Sequence, residues 1–294
     1  MRSNRASSTA LLIAASLVLV HEQPEYGGAV SEMAAAVCAR LLHTYSPSAR
    51  LFLRFARRRW FQRVASLIER LTIPGILRHY ALRKRCIAQL TRAALENDIA
   101  QIVVFGAGFD PLALELHYEF PRAHFWEIDH PATQHHKSRA LGEIDTERFH
   151  FVAADLTIDD VNANVLASSG FDSKQRTFWI AEGLLMYFPE NPVANLLNAV
   201  ARLSARGSRF AFTFMERRHD GRVRFEGQTR LVDWWLRQHG EPFAWGIERD
   251  HLAKFARPWQ VIRIFDDADL RALDLSSGHF PLAVGELICL AEIS

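Results

Sequence analysis

The chain has 294 residues, of which 49% are hydrophobic, 23% charged and 11% aromatic. This composition is typical of a globular protein with a sizeable core, and it excludes disordered, collagen-like and small disulfide-scaffold proteins. The formal net charge of +2 excludes a polycation built to coat nucleic acid. The cysteines Cys38, Cys86 and Cys289 lie far apart among apolar neighbours, which predicts buried thiols, a reducing compartment and a cytoplasmic protein.

The N-terminal segment is apolar from Ala10 to Val20 and follows Arg2 and Arg5, as in a signal peptide. It is too short to span a bilayer, and no small-x-small cleavage site follows it. Ser7 can cap a helix that begins there. We therefore predict a helix of the folded protein and no stable membrane insertion.

The chain divides into a helical part and an alternating part. Residues 7–100 are predicted to be mostly helical, with breaks at Pro47 and Pro74 that give three or four helices. From residue 101 onward, strands alternate with helical patterns, which predicts an α/β protein with a mostly parallel sheet. Strands are predicted over 102–105, 123–128, 149–152, 177–180, 209–214, 260–265 and 286–290. The last two are joined by a short link with Gly278 and Pro281, which predicts an antiparallel edge strand. We expect an N-terminal helical cap over 1–100 and a core over 101–294 with a helical insertion at about 215–255.

The loop after the first predicted strand contains Gly106 and Gly108, and Pro111 stands where a dinucleotide fingerprint has its third glycine. Glycine allows a tight turn and a close approach of the backbone to a ligand, because it has no Cβ. Open α/β sheets bind nucleotides at this end of their first strand. The loop therefore indicates a nucleotide site, although a plain strand-to-helix turn would show the same pattern.

The next three predicted strands end in side chains that suit the same ligand. Asp129 follows the second strand, where a carboxylate can accept the hydroxyls of a ribose; a helix N-cap ahead of Pro131 is the alternative role. Asp155 and Leu156 follow the third strand, and they suit the amine and the ring of an adenine. Glu182 follows the fourth strand and can receive an ammonium group. Together these side chains predict an adenosine-containing ligand at one edge of the sheet.

Five segments resemble the leucine carboxyl methyltransferase family, whose bacterial branch holds S-adenosyl-L-methionine-dependent O-methyltransferases. They are Tyr80–Arg85, Gly106–Asp110, Glu127–Gln134, Lys137 and Glu182–Tyr187. The resemblance covers roughly residues 75 to 215. It departs from the family pattern at Pro111-Leu112, where many members have Thr-Arg, so the contact of that arginine is missing.

The resemblance implies a class I methyltransferase: a Rossmann-like, seven-stranded, mostly parallel sheet that binds S-adenosyl-L-methionine. It implies that Arg83 holds the carboxylate of the cofactor and that Gly106 lines its amino acid end. It assigns the ribose to Asp129 and the ammonium group to Glu182. It assigns the adenine to Asp155 and Leu156.

The acceptor is expected to be a small molecule methylated on a carboxylate or hydroxyl oxygen. A carboxylate needs no general base, whereas a hydroxyl would need one, for which Tyr187, His219 or an acid near the cleft are candidates. Large aromatic side chains make efficient pocket walls. The predicted substrate-binding residues are Tyr187, Trp234, Trp235, Phe243 and Trp245.

Two other functions fit parts of the pattern. An NAD(P)-dependent oxidoreductase shares the glycine loop and the acid after the second strand, but Pro111 and the segment 182–187 argue against it. A binding protein with the same fold but no turnover stays open, because methyl transfer leaves no obligatory catalytic residue to look for. Nucleic-acid methylation is not expected, since no Asn/Asp-Pro-Pro-aromatic motif follows the fourth strand.

Two clusters of side chains suggest further sites. His130, His135 and His136 suggest a metal, but His135 and His136 are adjacent on a helix and point in different directions, so we predict no metal site. Six arginines between Arg50 and Arg63 are interleaved with aromatic residues. We expect the outer face of a helix there, with a membrane-facing or RNA-facing helix as the alternative.

Overall fold

The computed structural model describes residues 7–26, 28–142, 144, 147–156, 166, 169–218, 220–276 and 280–294. His219 and Gly278 lie outside these ranges, so the roles considered for them stay predictions. No helix among the described residues is both long enough and apolar enough to cross a membrane.

Helices dominate the first part of the chain and alternate with strands in the second. The α-helices of the described residues are α1 (Ser8–His21), α2 (Glu32–Tyr45), α3 (Pro47–Ala56), α4 (Arg59–Thr72), α5 (Ile76–Glu96), α6 (Leu112–Glu119), α7 (Pro131–Leu141), α8 (Glu190–Arg202), α9 (Arg230–His239), α10 (Arg249–Phe255) and α11 (Asp267–Ala272). The strands are β1 (Gln101–Phe105), β2 (His124–Asp129), β3 (Phe149–Ala153), β4 (Thr177–Ala181), β5 (Arg209–Met215), β6 (Gln260–Phe265) and β7 (Glu286–Glu292). Ser7 caps α1 as predicted, since its side chain accepts a hydrogen bond from the backbone N–H of Ala10 at 3.1 Å.

The described residues of the N-terminal part form five α-helices, more than the three or four expected. Two breaks were not expected. One separates α1 from α2, and the other separates α3 from α4 at Arg57 and Arg58, where neither proline nor glycine marks the boundary. Pro47 and Pro74 coincide with breaks, as predicted. Arginine is a good helix former, so the local sequence carried no signal for this boundary.

The strands form one seven-stranded sheet in the order β3-β2-β1-β4-β5-β7-β6. The first five strands in this order are parallel to one another, which confirms the predicted mostly parallel sheet. β7 runs antiparallel to both of its neighbours, with Met215 of β5 paired to Glu286. The antiparallel strand therefore lies inside the sheet with β6 at the edge, and the connection between them contains α11 instead of the short link expected.

Apolar layers cover both faces of the sheet. Ile102 and Val104 face α1, α2 and α5 on one side, whereas Val103 and Phe105 face α8 and α10 on the other. The three cysteines are buried, as predicted. Because the N-terminal helices share an apolar cluster with the strands, they pack directly on the sheet; the domain boundary at residue 100 stays a prediction.

Candidate functional site

A pocket opens at the carboxyl edge of the parallel strands, where β1 and β4 lie side by side. The seven side chains and glycines predicted to hold the cofactor all line it: Arg83, Gly106, Gly108, Asp129, Asp155, Leu156 and Glu182. Tyr187 lines the same pocket, and so do Thr9 and Glu241. The strand ends therefore converge on one cavity, as the parallel topology requires.

The glycine loop forms the floor of this pocket. Gly106 donates its N–H to the carbonyl of Ile128 at 2.8 Å and has a φ of 60°. A Cβ on Gly106 would lie 2.6 Å from Cδ1 of Leu184, so a larger residue here would strain the backbone and displace the Leu184 side chain. Gly108 has a φ of 50°, and its Cβ would meet Ala10 of α1 at 3.1 Å.

Asp129 ties the end of β2 to the glycine loop. Its two carboxylate oxygens accept hydrogen bonds from the backbone N–H groups of Gly108 and His130. The N-cap of α7 is His130, whose Nδ1 accepts from Ala132 at 3.2 Å, so Asp129 does not fill the alternative role considered for it. Burial raises the pKa of Asp129 above its usual value. A carboxylate has further acceptor sites, which leaves capacity for ligand hydroxyls.

Arg83 on α5 lies buried between two carboxylates. Its Nε donates to Oε1 of Glu182 at 2.8 Å, and its Nη1 donates to both oxygens of Glu286 at 2.9 and 2.7 Å. Neither ion pair uses Nη2, which lies beside Gly183. Burial acts to raise the pKa of Glu286, but Arg83 and His79 outweigh it and lower that pKa to about 2.

Glu182 presents one bonded and one unbonded oxygen. Oε1 contacts Arg83 and lies 3.2 Å from Nζ of Lys84, which also pairs with Asp110 at 2.9 Å. Oε2 is buried and has no hydrogen-bond partner among the described residues. A buried carboxylate oxygen without a donor is unfavourable by itself, so it fits a cationic ligand group at this point.

A second buried ion pair stabilises the glycine loop. Lys137 on α7 donates to the carbonyl of Asp110 at 2.6 Å and pairs with Glu127 of β2 at 2.7 Å. Burial raises the pKa of Glu127 to about 7, with Lys137 opposing the shift. The sequence placed both residues in family-like segments but gave neither a role.

The sequence did not lead us to predict a role in the site for Glu286 or Lys84. Lys84 follows Arg83 directly, so its place in the same motif was a usable signal. Glu286 begins β7, and only the antiparallel direction of that strand brings its first residue to the carboxyl edge.

The N-terminus of α1 closes one side of the pocket. The Glu241 carboxylate accepts hydrogen bonds from the backbone N–H groups of Ser8 and Thr9, at 3.2 and 3.0 Å, and from the Thr9 hydroxyl. Tyr187 packs against Phe243 with ring centroids 5.7 Å apart. Burial raises the pKa of the Tyr187 phenol well above its usual range.

The other predicted aromatic wall residues lie elsewhere. Trp234 is 54% exposed, and Trp235 stacks on His239 with centroids 4.2 Å apart. Trp245 is buried in the core against Phe255. These tryptophans and Phe243 are not among the described residues that line the pocket, and Phe243 stands behind Tyr187. The aromatic residues predicted in the helical insertion thus lie outside the lining of this pocket.

The histidines considered for a metal have separate surroundings. His136 packs against Tyr45 and Phe109, with ring centroids 5.1 and 5.4 Å away. His130 caps α7. Among the described residues, no group of three His, Cys, Asp or Glu side chains has the arrangement of a metal site.

Comparison with known proteins identifies a family and several relatives of this chain. The leucine carboxyl methyltransferase family matches residues 30–201, which is more than half of the chain. A protein of Mycolicibacterium smegmatis, provisionally named an S-adenosyl-L-methionine-dependent methyltransferase, is 36% identical over 163 residues, 54% of this chain and 52% of that protein. A similarly named Streptomyces coelicolor protein is 30% identical over 202 residues, covering 63% and 70% of the two chains. The match to the mycobacterial relatives thus spans about half of their length.

A crystal structure from Thermobifida fusca, provisionally named a methyltransferase, shares the fold with a TM-score of 0.59 and 15% identity. It covers 88% of this chain and 93% of that one. The fold is accordingly that of the class I methyltransferases, as expected. The chain belongs to the leucine carboxyl methyltransferase family.

Proposed function

We propose that this protein is an S-adenosyl-L-methionine-dependent methyltransferase that methylates a carboxylate or hydroxyl oxygen of a small molecule. The cofactor assignment rests mainly on two groups at the buried end of the pocket. Glu182 Oε2 lacks a partner among the described residues, and Arg83 Nη2 takes part in neither ion pair. A ligand that carries an ammonium and a carboxylate on one carbon would satisfy both groups.

The remaining lining residues suit the rest of this cofactor. Asp129 would accept the ribose hydroxyls while it holds the glycine loop, and Gly106 and Gly108 let the ligand lie against the backbone. Asp155 and Leu156, which follow β3, would hold the adenine.

The sheet order argues against the oxidoreductase alternative. Dinucleotide-binding sheets have the order 3-2-1-4-5-6 with all strands parallel. Here β7 is inserted antiparallel between β5 and β6. Pro111 also replaces the third glycine of the dinucleotide loop.

The protein has little covalent chemistry to perform. The bound cofactor supplies a methyl group already activated on a positively charged sulfur. The residues of the chain have to align the acceptor oxygen and exclude water. Helix α1 serves the second task, because Ala10 lies over Gly108 and Glu241 fixes the N-terminus of the helix.

A carboxylate is the favoured acceptor, because three side chains in the pocket that could deprotonate a hydroxyl are each otherwise engaged. The Tyr187 phenol is kept protonated by its raised pKa. His130 Nδ1 accepts a hydrogen bond from the N–H of Ala132, so that nitrogen is already engaged. Glu241 directs both oxygens at the N-terminus of α1. A carboxylate needs none of them, since it is already ionised at neutral pH.

The test is transfer of a labelled methyl group from S-adenosyl-L-methionine to a panel of carboxylic acids, phenols and alcohols. A labelled product that releases methanol in mild base is a methyl ester and supports carboxylate methylation. A base-stable product is an ether and supports the hydroxyl alternative. Cofactor binding without labelling of any compound in a broad panel would favour the non-catalytic binding protein.

A further inference from the structure

Helix α4 presents an apolar stripe to solvent. No residue of this helix is buried. The stripe consists of Trp60, Val64, Leu67, Ile68 and Leu71, which are 45 to 66% exposed. These positions recur at helical spacing, so they share one face. Exposed apolar patches with polar rims mark interaction sites.

Arginine side chains flank this stripe. Residues 47–72 contain seven arginines and one acidic residue, Glu69. Glu69 points inward, where it accepts the N–H of Leu77 at 3.0 Å, and burial raises its pKa. Arg57 pairs with Glu22 at 2.9 Å. Arg59, Arg63 and Arg70 are exposed and recur along one edge of the stripe. The surface is therefore both apolar and positively charged.

The exposed part of this surface is mainly aliphatic. Phe52 and Phe55 are half-buried and pack against Phe61, with ring centroids 5.7 and 6.4 Å apart. Stacking on nucleic-acid bases needs free aromatic faces. The two phenylalanines offer none, and Trp60 is the one exposed ring of the stripe, packed edge-on against Phe55 and Phe61 at 5.5 and 5.7 Å. Leucine and isoleucine side chains bind hydrocarbon instead. This arrangement argues against a single-stranded RNA partner.

A second copy of the chain is also a poor partner for this face. A two-fold dimer places the same patch against itself. The arginines of both copies would then face each other with one inward-pointing Glu69 per copy to offset them. The charge instead complements an anionic surface.

We propose that the α4 surface, formed by the stripe and by Arg59, Arg63 and Arg70, docks onto a membrane that contains anionic lipid. α4 lies in the headgroup region parallel to the membrane, with the stripe toward the acyl chains and the arginines at the phosphates. None of these residues is among those described as lining the cofactor pocket. Docking is therefore separable from cofactor binding.

The experiment is cosedimentation of the full chain with vesicles of phosphatidylcholine, alone or mixed with phosphatidylglycerol. The unmodified protein should sediment with the mixed vesicles, and added salt should release it. Leu67→Ser/Ile68→Ser and Arg59→Glu/Arg63→Glu should each weaken this binding about tenfold. Two control variants make the same changes of polarity and charge outside α4 and should bind vesicles like the unmodified protein. The first is Leu231→Ser/Leu275→Ser, at leucines that are 62 and 66% exposed. The second is Arg202→Glu/Arg206→Glu, at two exposed arginines.

The results of these experiments distinguish a membrane from a second copy of the chain and from RNA. Failure of the unmodified protein to bind mixed vesicles overturns the proposal, as does equal binding to neutral vesicles. A concentration-dependent dimer that Leu67→Ser/Ile68→Ser abolishes, without vesicle binding, would assign the surface to a second copy. Tighter binding to an RNA oligonucleotide than to mixed vesicles would also contradict it. Circular dichroism and unchanged S-adenosylhomocysteine affinity establish that each variant is folded.

Discussion

Arg83 on α5 donates two hydrogen bonds from Nη1 to the carboxylate of Glu286, the first residue of β7. Both side chains are buried, and Glu182 holds the Nε side of the same guanidinium. The arginine proposed to bind the cofactor carboxylate is thus fixed in position, before any ligand arrives, by the first residue of β7 and by the residue that follows β4. Such preorganisation reduces the entropy lost on binding.

The Glu286 pair predicts an acid-dependent loss of stability. The folded-state pKa of Glu286 is about 2, below the usual 4.5, so its contribution is full above pH 4.5 and is lost as the pH falls towards 2. Over that window the contribution is about 3 kcal/mol. Glu286→Gln should be less stable than the native protein at neutral pH, and the difference should shrink on acidification. Urea unfolding at neutral and acidic pH measures both. A difference that is constant with pH would contradict the pairing.

Arg83→Lys should weaken cofactor binding although the charge is kept. A lysine ammonium cannot contact Glu182, Glu286 and a ligand carboxylate in the geometry of the guanidinium fork. We expect about ten- to a hundredfold weaker binding of S-adenosylhomocysteine. The control ligand is its decarboxylated analogue, whose affinity should change much less. An equal loss for both ligands would make Arg83 a purely structural residue.

Gly106→Ala should weaken cofactor binding, and the loss should be larger than the strain on its backbone alone explains. The added methyl group would lie 2.6 Å from Leu184 within the pocket, at a φ of 60°. Gly221→Ala is the matched control, since Gly221 has a φ of 76° but no atom of the described residues within 4 Å of its Cβ. Both variants should lose about 1 kcal/mol or more of stability from the strained backbone. Only Gly106→Ala should lose affinity for S-adenosylhomocysteine; full affinity in a folded Gly106→Ala would exclude the loop from the site.

Lys137→Met should be strongly destabilising. It leaves Glu127 buried without its cation and frees the carbonyl of Asp110 in the glycine loop. Breaking a buried ion pair on one side costs about 3–5 kcal/mol. The double variant Glu127→Gln/Lys137→Met removes both charges and should recover part of this loss in urea unfolding. Should the double variant be as unstable as the sum of the two single variants, the two side chains are not coupled.

The sheet could be predicted from the sequence because its signals are local. Apolar runs marked β1 to β5, those of β1 to β4 are followed by glycine or acidic residues, and parallel strands bring those ends to one edge. Asp129, Asp155 and Glu182 could therefore be expected together, and they line one pocket.

The remainder depends on contacts between distant parts of the chain. Glu286 reaches the site only because β7 reverses direction between β5 and β6. Glu241 reaches Thr9 across a sequence separation of 232 residues. Trp245 was expected at the pocket but packs in the core, because composition identifies aromatic residues and not the surface they will cover.

The most direct test of the cofactor site is calorimetric titration of the intact protein with S-adenosylhomocysteine and, separately, with NAD. We expect saturable one-to-one binding of S-adenosylhomocysteine and no heat of binding with NAD. Glu182→Gln should bind the first ligand more weakly, since the amide replaces the carboxylate oxygen that lacks a donor. Binding of NAD without binding of S-adenosylhomocysteine would contradict the proposed methyltransferase.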